Sequence, residues 1–399
     1  MQGLGTLSPK LLHGDMPQWF FVIQLISNGK AMNLRPAFVL MASVVLAACG
    51  GNGSTNPGPF ANAPKVIMDS DFNTMGDDGQ LFAMTTQLMA QGKVNLLGLT
   101  VVTGNDWLLQ EQADALKAVE RMGVQNVVGV YAGANYPLQY DVASIRAQQA
   151  ANPNGYFGAW SRPEPTQASQ LIAPPDGFAA STKLQAQNAS DFMIDTIKRY
   201  PNQVTIIEVG PPTNLATALR KAPEIVPLIK QIVYMGGAMA VPGNANAVGE
   251  LNWWFDPLAT RTVLQTTIPQ SVIPLDVTNT VPLTESVYNQ IANNPSKQTA
   301  VTKAYATTNA NAFATNTHIY DTLTIAYFLD PTYATQTKSA YLDIDTTSGE
   351  DQGHVMVYPG QPAAGASPQK ITYVTQFDNN HFFNLYIDLL TRPVPVTLP

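Results

Sequence analysis

The chain has 399 residues, 45% of them hydrophobic and only 12% charged, with a formal net charge of -7. That length supports one large domain or two smaller ones. The acidic balance, with no basic run to offset phosphates, excludes a nucleic-acid polymer as a natural partner and favours small neutral or cationic ligands and metal ions.

In chain order, residues 1–48 read as a signal region. Arg35 precedes an apolar run from Ala37 to Ala48, which is too short to span a bilayer as a stable helix and fits an export signal. Met32 is an alternative start. The earlier apolar stretch from Trp19 to Ile26 is also too short for a membrane span and has no functional account. Leu46-Ala47-Ala48-Cys49 resembles a bacterial lipobox. The resemblance implies cleavage before Cys49 and a lipid on that residue. Cys49 is the only cysteine, so no disulfide forms within the chain. Residues 49–63 read as the lipidated cysteine and a Gly-, Asn- and Pro-rich flexible tether. Gly50, in place of an Asp, favours the outer membrane over the inner one for an exported, periplasm-facing lipoprotein.

From residue 64 to 399 one domain is expected. KVIMDSD is strand-like, and GQLFAMTTQLMAQG has helical spacing with Leu81, Met84 and Leu88 on one face. VNLLGLTVV is a continuous apolar run, as in a strand buried on both faces. DWLLQEQADALKAVERMG is an amphipathic helix stopped by Gly123. NVVGVYAG, QVTIIEVG, NLATALRKAP, IKQIVYMGG, DPLATRTVLQTT and SVIPLD continue the alternation. This rhythm predicts an α/β fold: an open, mostly parallel, mixed sheet with helices on both faces. Two stretches interrupt it. Gly133 to Lys183 is a long excursion carrying Tyr156, Phe157 and Trp160, and excursions of that length are commonly functional or mobile. Thr284 to Ala314 is helical, followed by a short helix within HIYDTLTIAYFLDP. The C-terminal part reads as strands or a hairpin and a closing helix.

In open parallel sheets, ligands bind beyond the carboxyl ends of the strands. Asp69, Asp71, Asp77 and Asp78 follow the first strand, crowded into ten residues. Such like charges resist ionisation side by side, and a hard, oxygen-seeking cation relieves them. A solvated acidic loop is the plainer alternative. Asn105 and Asp106 follow the second strand, Thr213 and Asn214 a later one, and Asn244, Glu250 and Asn252 the one after that; Asp321 opens the late helix. Singly, each has a structural explanation: Asn214 as a helix cap, Gly236-Gly237 as a turn, Asp256 as an N-cap ahead of Pro257. Together they form an edge rich in Asp, Asn and Glu and nearly free of Lys and Arg, which suits a cation and a polyhydroxyl.

These motifs make the chain resemble the inosine-uridine nucleoside hydrolase superfamily. DSDFNTMGDD, VTGN, GPPTNLATAL, IVYMGGA, the PGN to GELNWWFDPLA stretch, PLDVTNTVPLT and YDTLTIAYFLDP follow in family order, from about Val66 to Arg392. The resemblance implies Ca²⁺-dependent cleavage of a ribonucleoside to ribose and free base. Asp71 would orient and deprotonate the attacking water. Asp71, Asp78, the Thr213 carbonyl and Asp321 would ligate Ca²⁺. Asp77, Asn244, Glu250 and Asn252 would hold the ribose, with Asn105 near the sugar–base junction. Tyr320 stands where many members have a general-acid His, and His318 lies two residues earlier. That aromatic resembles the purine-preferring branch, where rings sandwich the base. Trp160 is the expected second ring, with packing inside its own loop as the alternative. Tyr320 has core packing as its plain alternative, and His318 a surface or cap role.

The sequence also departs from the family. The acidic loop is longer by two residues than the commonest form. Met75-Gly76 replaces the usual residues, Pro212 replaces leucine and Leu251 an aromatic. These leave the ligand set intact and bear on sugar and base preference. The expected partner is a small nucleoside, with membrane contact only through the anchor and homo-oligomerisation open. Two rivals stand beside this reading. One is hydrolysis of another N-ribosyl compound. The other is a non-catalytic Ca²⁺-dependent nucleoside- or ribose-binding lipoprotein, against which the intact Asp71 speaks.

Overall fold

The computed structural model describes residues 60, 62–151, 156–315, 317–360, 365–394, 396 and 398. The signal region, Cys49 and the tether up to residue 59 lie outside the described residues. Among the described residues no helix is long and apolar enough to cross a membrane.

Among the described residues nine strands form one sheet: β1 (Lys65–Ser70), β2 (Asn95–Val101), β3 (Val130–Ala132), β4 (Val204–Glu208), β5 (Gln231–Met235), β6 (Gln270–Ile273), β7 (Ala334–Ile344), β8 (Val355–Tyr358) and β9 (Ile371–Phe377). Their order is β3-β2-β1-β4-β5-β6-β9-β7-β8. The pairs from β3 through β9 are parallel, while β7 pairs antiparallel with both β9 and β8. The strand runs read from the sequence are therefore present, with the hairpin at one edge. The helices are α1 (Asp77–Ala90), α2 (Leu108–Arg121), α3 (Val142–Ala151), α4 (Ala189–Arg199), α5 (Thr213–Lys221), α6 (Leu251–Phe255), α7 (Pro257–Leu264), α8 (Leu275–Thr278), α9 (Glu285–Ala292), α10 (Ala300–Thr308), α11 (Thr322–Leu329) and α12 (Asn379–Leu390).

Alternation along the strands builds two cores. Val66 and Met68 of β1 pack into one, with residues of α1, α2, α11 and α12; Ile67 packs into the other, with α4, α5 and α7. The same period-2 split recurs in β4 and β5. Covered on both faces, these strands show the continuous apolar runs of a parallel sheet. Helix α1 departs from its one-faced expectation. It is buried from Asp78 to Met89, because α2, α11 and α12 enclose it as well as the sheet.

The excursion is more ordered than a bare loop. It carries α3 and a short 3₁₀ turn, Gly158–Ser161. Phe157 and Trp160 join Trp107, Trp254 and Phe255 in a third, aromatic cluster. Gly158 makes this docking possible. Its φ is +53°, and a Cβ there would meet the Gly104 carbonyl oxygen at 2.0 Å. Backbone contact is instead direct, with the Ala159 N–H donating to the Gly104 carbonyl at 2.8 Å.

Strand order reverses between β1, whose next neighbour is β2, and β4. In doubly wound sheets a crevice opens at such a switch point, beyond the strand C-termini. Asp71, just after β1, and Val209, just after β4, stand at its two sides.

Candidate active site and acidic centre

A cavity of about 740 Å³ opens at this switch point. Asp71, Asp77, Asn105, Asn244, Glu250, Asn252, His318, Tyr320 and Asp321 all line it. Asp78 is fully buried, close behind them. Nine of the twelve residues given a role from the sequence thus line one cavity, a tenth lies close to it, and the lining holds no Lys or Arg.

Asp71 is held by the loop after β2. The Asn105 N–H donates to Asp71 Oδ2 at 2.8 Å, and Asn105 Nδ2 donates to the Asp71 carbonyl at 3.0 Å and to Asp78 Oδ2 at 3.1 Å. Gly104 permits this approach, since a Cβ there would lie 2.2 Å from Asp71 Oδ2. The neighbouring N–H groups of Gly104 and Asp106 donate to buried Glu111, at 3.2 and 2.6 Å. Three successive N–H groups are thus divided between Glu111 and Asp71.

Asp77 and Asp78 form the first turn of α1, where the helix dipole favours negative charge. Asn73 Nδ2 donates to Asp77 at 3.0 Å, and Ser70 Oγ donates to Asp78 at 2.6 Å. One carboxylate oxygen each from Asp77, Asp78 and Asp321 lie within 4.8 Å of one another. Burial, then repulsion from Asp78 and Asp77, holds Asp71 well above the usual carboxylate range. Burial and the Asp77 charge do the same to Asp78, and burial with all three neighbours to Asp321. A buried set of this kind is costly as anions unless a cation joins it. The oxygen-only donors suit a hard divalent ion.

On the opposite wall Glu250 caps α6. Its carboxylate accepts from the N–H groups of Asn252 (2.8 Å), Trp253 (3.1 Å) and Gly237 (2.8 Å). Burial nevertheless pushes it up to about 7. Asn252 Nδ2 donates to the carbonyls of Val209 (2.9 Å) and Met235 (3.2 Å), and Asn244 Oδ1 accepts the Leu251 N–H at 2.8 Å. Burial, then the Asp77, Glu250 and Asp321 charges, pushes the Tyr320 hydroxyl up to about 12, so it keeps its proton. Burial pushes the half-buried His318 downward, toward neutral imidazole.

Two expectations are corrected. Trp160 does not line the cavity. It is 5% exposed and packs on Trp107 and Phe255, with ring centroids 5.1 and 5.4 Å away. The aromatic that the excursion brings to the cavity is Tyr156, 46% exposed, with its hydroxyl 3.3 Å from Asn105 Oδ1. Thr213 also stays out. Its backbone lies in the first turn of α5 and its hydroxyl donates to Asp256 at 2.8 Å. The residue of that segment lining the cavity is Val209, whose carbonyl stands at the end of β4. Asp256 does cap α7, accepting the Ala259 N–H, and it also receives the Leu138 N–H. Asn214 is not a cap; it donates to Asp69 at 2.8 Å and to the Val101 carbonyl at 3.3 Å, and accepts from the Ala134 N–H.

With this geometry in place, the sequence profile described as inosine-uridine preferring nucleoside hydrolase matches residues 66–384. The chain belongs to that family. It is a nucleoside hydrolase, with an α/β fold of the kind seen in solved members. An uncharacterized protein of Schizosaccharomyces pombe is 31% identical to the hydrolase, over 82% of this chain and 99% of that one. The pyrimidine-specific ribonucleoside hydrolase RihB of Escherichia coli is 28% identical, over 73% of this chain and 86% of its own. The solved purine-preferring ribonucleoside hydrolase of Gardnerella vaginalis superposes with a TM-score of 0.60 at 26% identity, covering 82% of this chain and 98% of that one.

Proposed function

We propose that the chain is a calcium-dependent ribonucleoside hydrolase that favours purine nucleosides and releases ribose and free base. The observation that carries this is the convergence of Asp77, Asp78 and Asp321 oxygens beside Asp71, in a cavity lined without Lys or Arg. Asp71, Asp78, Asp321 and the Val209 carbonyl would hold the ion. Bound there, calcium supplies the positive charge that fixes ribose hydroxyls and acidifies the attacking water.

The protein's own groups account for the remaining steps. Asp71 Oδ2 is occupied by the Asn105 N–H, which leaves Oδ1 to accept the proton of the attacking water as general base. The water oxygen bonds to C1′, the N-glycosidic bond breaks, and its electron pair leaves with the base nitrogen, which takes a proton from solvent. Positive charge developing on the ribose ring is stabilised by the surrounding carboxylates. Asp77, Asn244, Glu250 and Asn252 bind the sugar hydroxyls. Tyr320, still protonated, is the hydrogen-bond donor facing the leaving base, and a neutral His318 acts as a polar wall.

Purine preference is supported by two rings on the lining, Tyr156 and Tyr320, because stacking gains with the larger base. The 28% identity to RihB favours the second reading, a pyrimidine preference. Ribose release from inosine, guanosine, uridine and cytidine separates the two. A higher kcat/KM for inosine than for uridine is expected, and the reverse order would establish the second. Inosine monophosphate should be a poor substrate, because no lining cation receives its phosphate; equal turnover would point to a nucleotide-derived substrate.

We also propose export as a lipoprotein acylated at Cys49. Fatty-acid labelling in a bacterial host should mark the protein and be lost in Cys49→Ser. Labelling that persists in the variant would refute the anchor.

A further inference from the structure

We propose that Arg121 is a positioning residue for the acidic loop: from α2 it ties the Thr74 carbonyl to Asp176 of the excursion, and so sets the spacing between Asp71 and the Asp77–Asp78 pair. The inference rests on the reading of that loop as a cation site.

The loop from Phe72 to Gly76 carries no regular structure, yet ligating groups stand at both its ends. Irregular backbone has many conformations open to it, so something must hold the loop. The Arg121 side chain is only 2% exposed. Its Nε and Nη2 donate to the two carboxylate oxygens of Asp176, at 2.9 and 2.7 Å, and its Nη1 donates to the Thr74 carbonyl at 3.1 Å and touches Met75 Sδ at 3.9 Å. Next along the loop, Asn309 Nδ2 and Gln80 Nε2 donate to the Met75 carbonyl at 3.0 and 3.2 Å. Two consecutive loop carbonyls are thus gripped by side chains of different elements.

The grip needs a guanidinium. A planar fork serves a bidentate carboxylate and a third acceptor at once, which the single ammonium of lysine does not reproduce. It also needs Asp176, since a guanidinium this buried is costly without its counter-charge. The adjacent residue, Glu120, is a built-in control. It accepts the N–H groups of Ala180, Ser181 and Thr182. It therefore anchors the same excursion to α2 while making no hydrogen bond to the acidic loop.

The test uses the metal-free full-length protein, terbium(III) luminescence titration, and hydrogen exchange of the peptide spanning residues 72–80. Arg121→Lys and Asp176→Asn should weaken terbium binding about 10–100-fold, the usual effect of removing a group that supports a ligand loop. Both should speed exchange across residues 72–80. Glu120→Gln should lower Tm and leave both readouts as in wild type. Unchanged affinity and exchange in Arg121→Lys and Asp176→Asn would overturn the proposal. So would an equal loss in Glu120→Gln, which would mean general loosening. If the wild type binds no terbium, the cation reading falls, and the exchange data still decide whether Arg121 braces the loop.

Discussion

In the proposed reaction Asp71 acts with Oδ2 engaged by the Asn105 N–H and Oδ1 left for the water, an asymmetry set by that backbone donor. Replacing Asp71 with Asn keeps the shape and removes the proposed base. Asp71→Asn should lose about 10²–10⁴-fold in kcat, with a melting temperature at or above that of the wild type in chelator, because a repelling charge is gone. Steady-state ribose assays and calorimetry check both. Tyr156 and Trp160 make a paired prediction. Tyr156→Ala should raise KM for a purine nucleoside about 5–150-fold, the ~1–3 kcal/mol of one stacking contact, with Tm unchanged. Trp160→Ala should cost about 3–5 kcal/mol of stability, as for a large buried side chain, measured by denaturant unfolding. The opposite pattern would restore Trp160 to the site. Only part of this was legible in the sequence. Asp, Asn and Glu announce themselves by type and by their position after strands. The direction of a ring within the excursion does not, because it depends on how Phe157 and Trp160 seat on Trp107, Trp254 and Phe255.

At the scale of elements, the site is made of strand ends and the first turns after them. Each element contributes a fixed direction: β1 delivers Asp71, the start of α1 delivers Asp77 and Asp78, and the start of α11 delivers Asp321. The loop after β2 has no such rigidity of its own, and Glu111 supplies it through the Gly104 and Asp106 N–H groups. Glu111→Gln retains an acceptor for those bonds and should keep most activity. Glu111→Ala frees the loop and should lower kcat through a misplaced Asp71, while KM for the nucleoside moves less. Matching losses in the two variants would show that the charge of Glu111, not its hydrogen bonding, matters. The expectation of Thr213 as a ligand illustrates a limit of sequence at this scale. A backbone carbonyl has no side-chain signature, and the proposal of Val209 rests on its place after β4 in the cavity lining. The Arg121–Asp176 pair was equally silent, because partners 55 residues apart leave no local pattern.

For the whole molecule, strand and helix alternation was readable because strands buried on both faces are continuous apolar runs. The strand order was not, since it is decided by how crossovers pack and not by any one segment. That order creates the switch point, and the switch point gathers carboxylates in one buried place. The consequence is a pH dependence of stability. Burial raises Asp69 and Glu250 to about 7 and Asp256 to about 6, and burial, then the charge of neighbouring carboxylates, Asp77 among them, holds Asp71, Asp78 and Asp321 well above the usual range. Raised carboxylates favour the folded state while protonated. Their stabilising contribution is therefore complete below pH 4 and lost as pH rises through about 6 to 7. In chelator, the melting temperature should fall between pH 5 and pH 8. Calcium should restore it, and more strongly at pH 8, because the ion binds the deprotonated set. A calcium-induced shift that is the same at both pH values would contradict a carboxylate site.

The most direct test of the central claim is ribose release from inosine by the purified chain, with calcium or with chelator, beside Asp71→Asn. The account predicts release that requires both the ion and Asp71. Turnover that persists in chelator, or in Asp71→Asn, would contradict it.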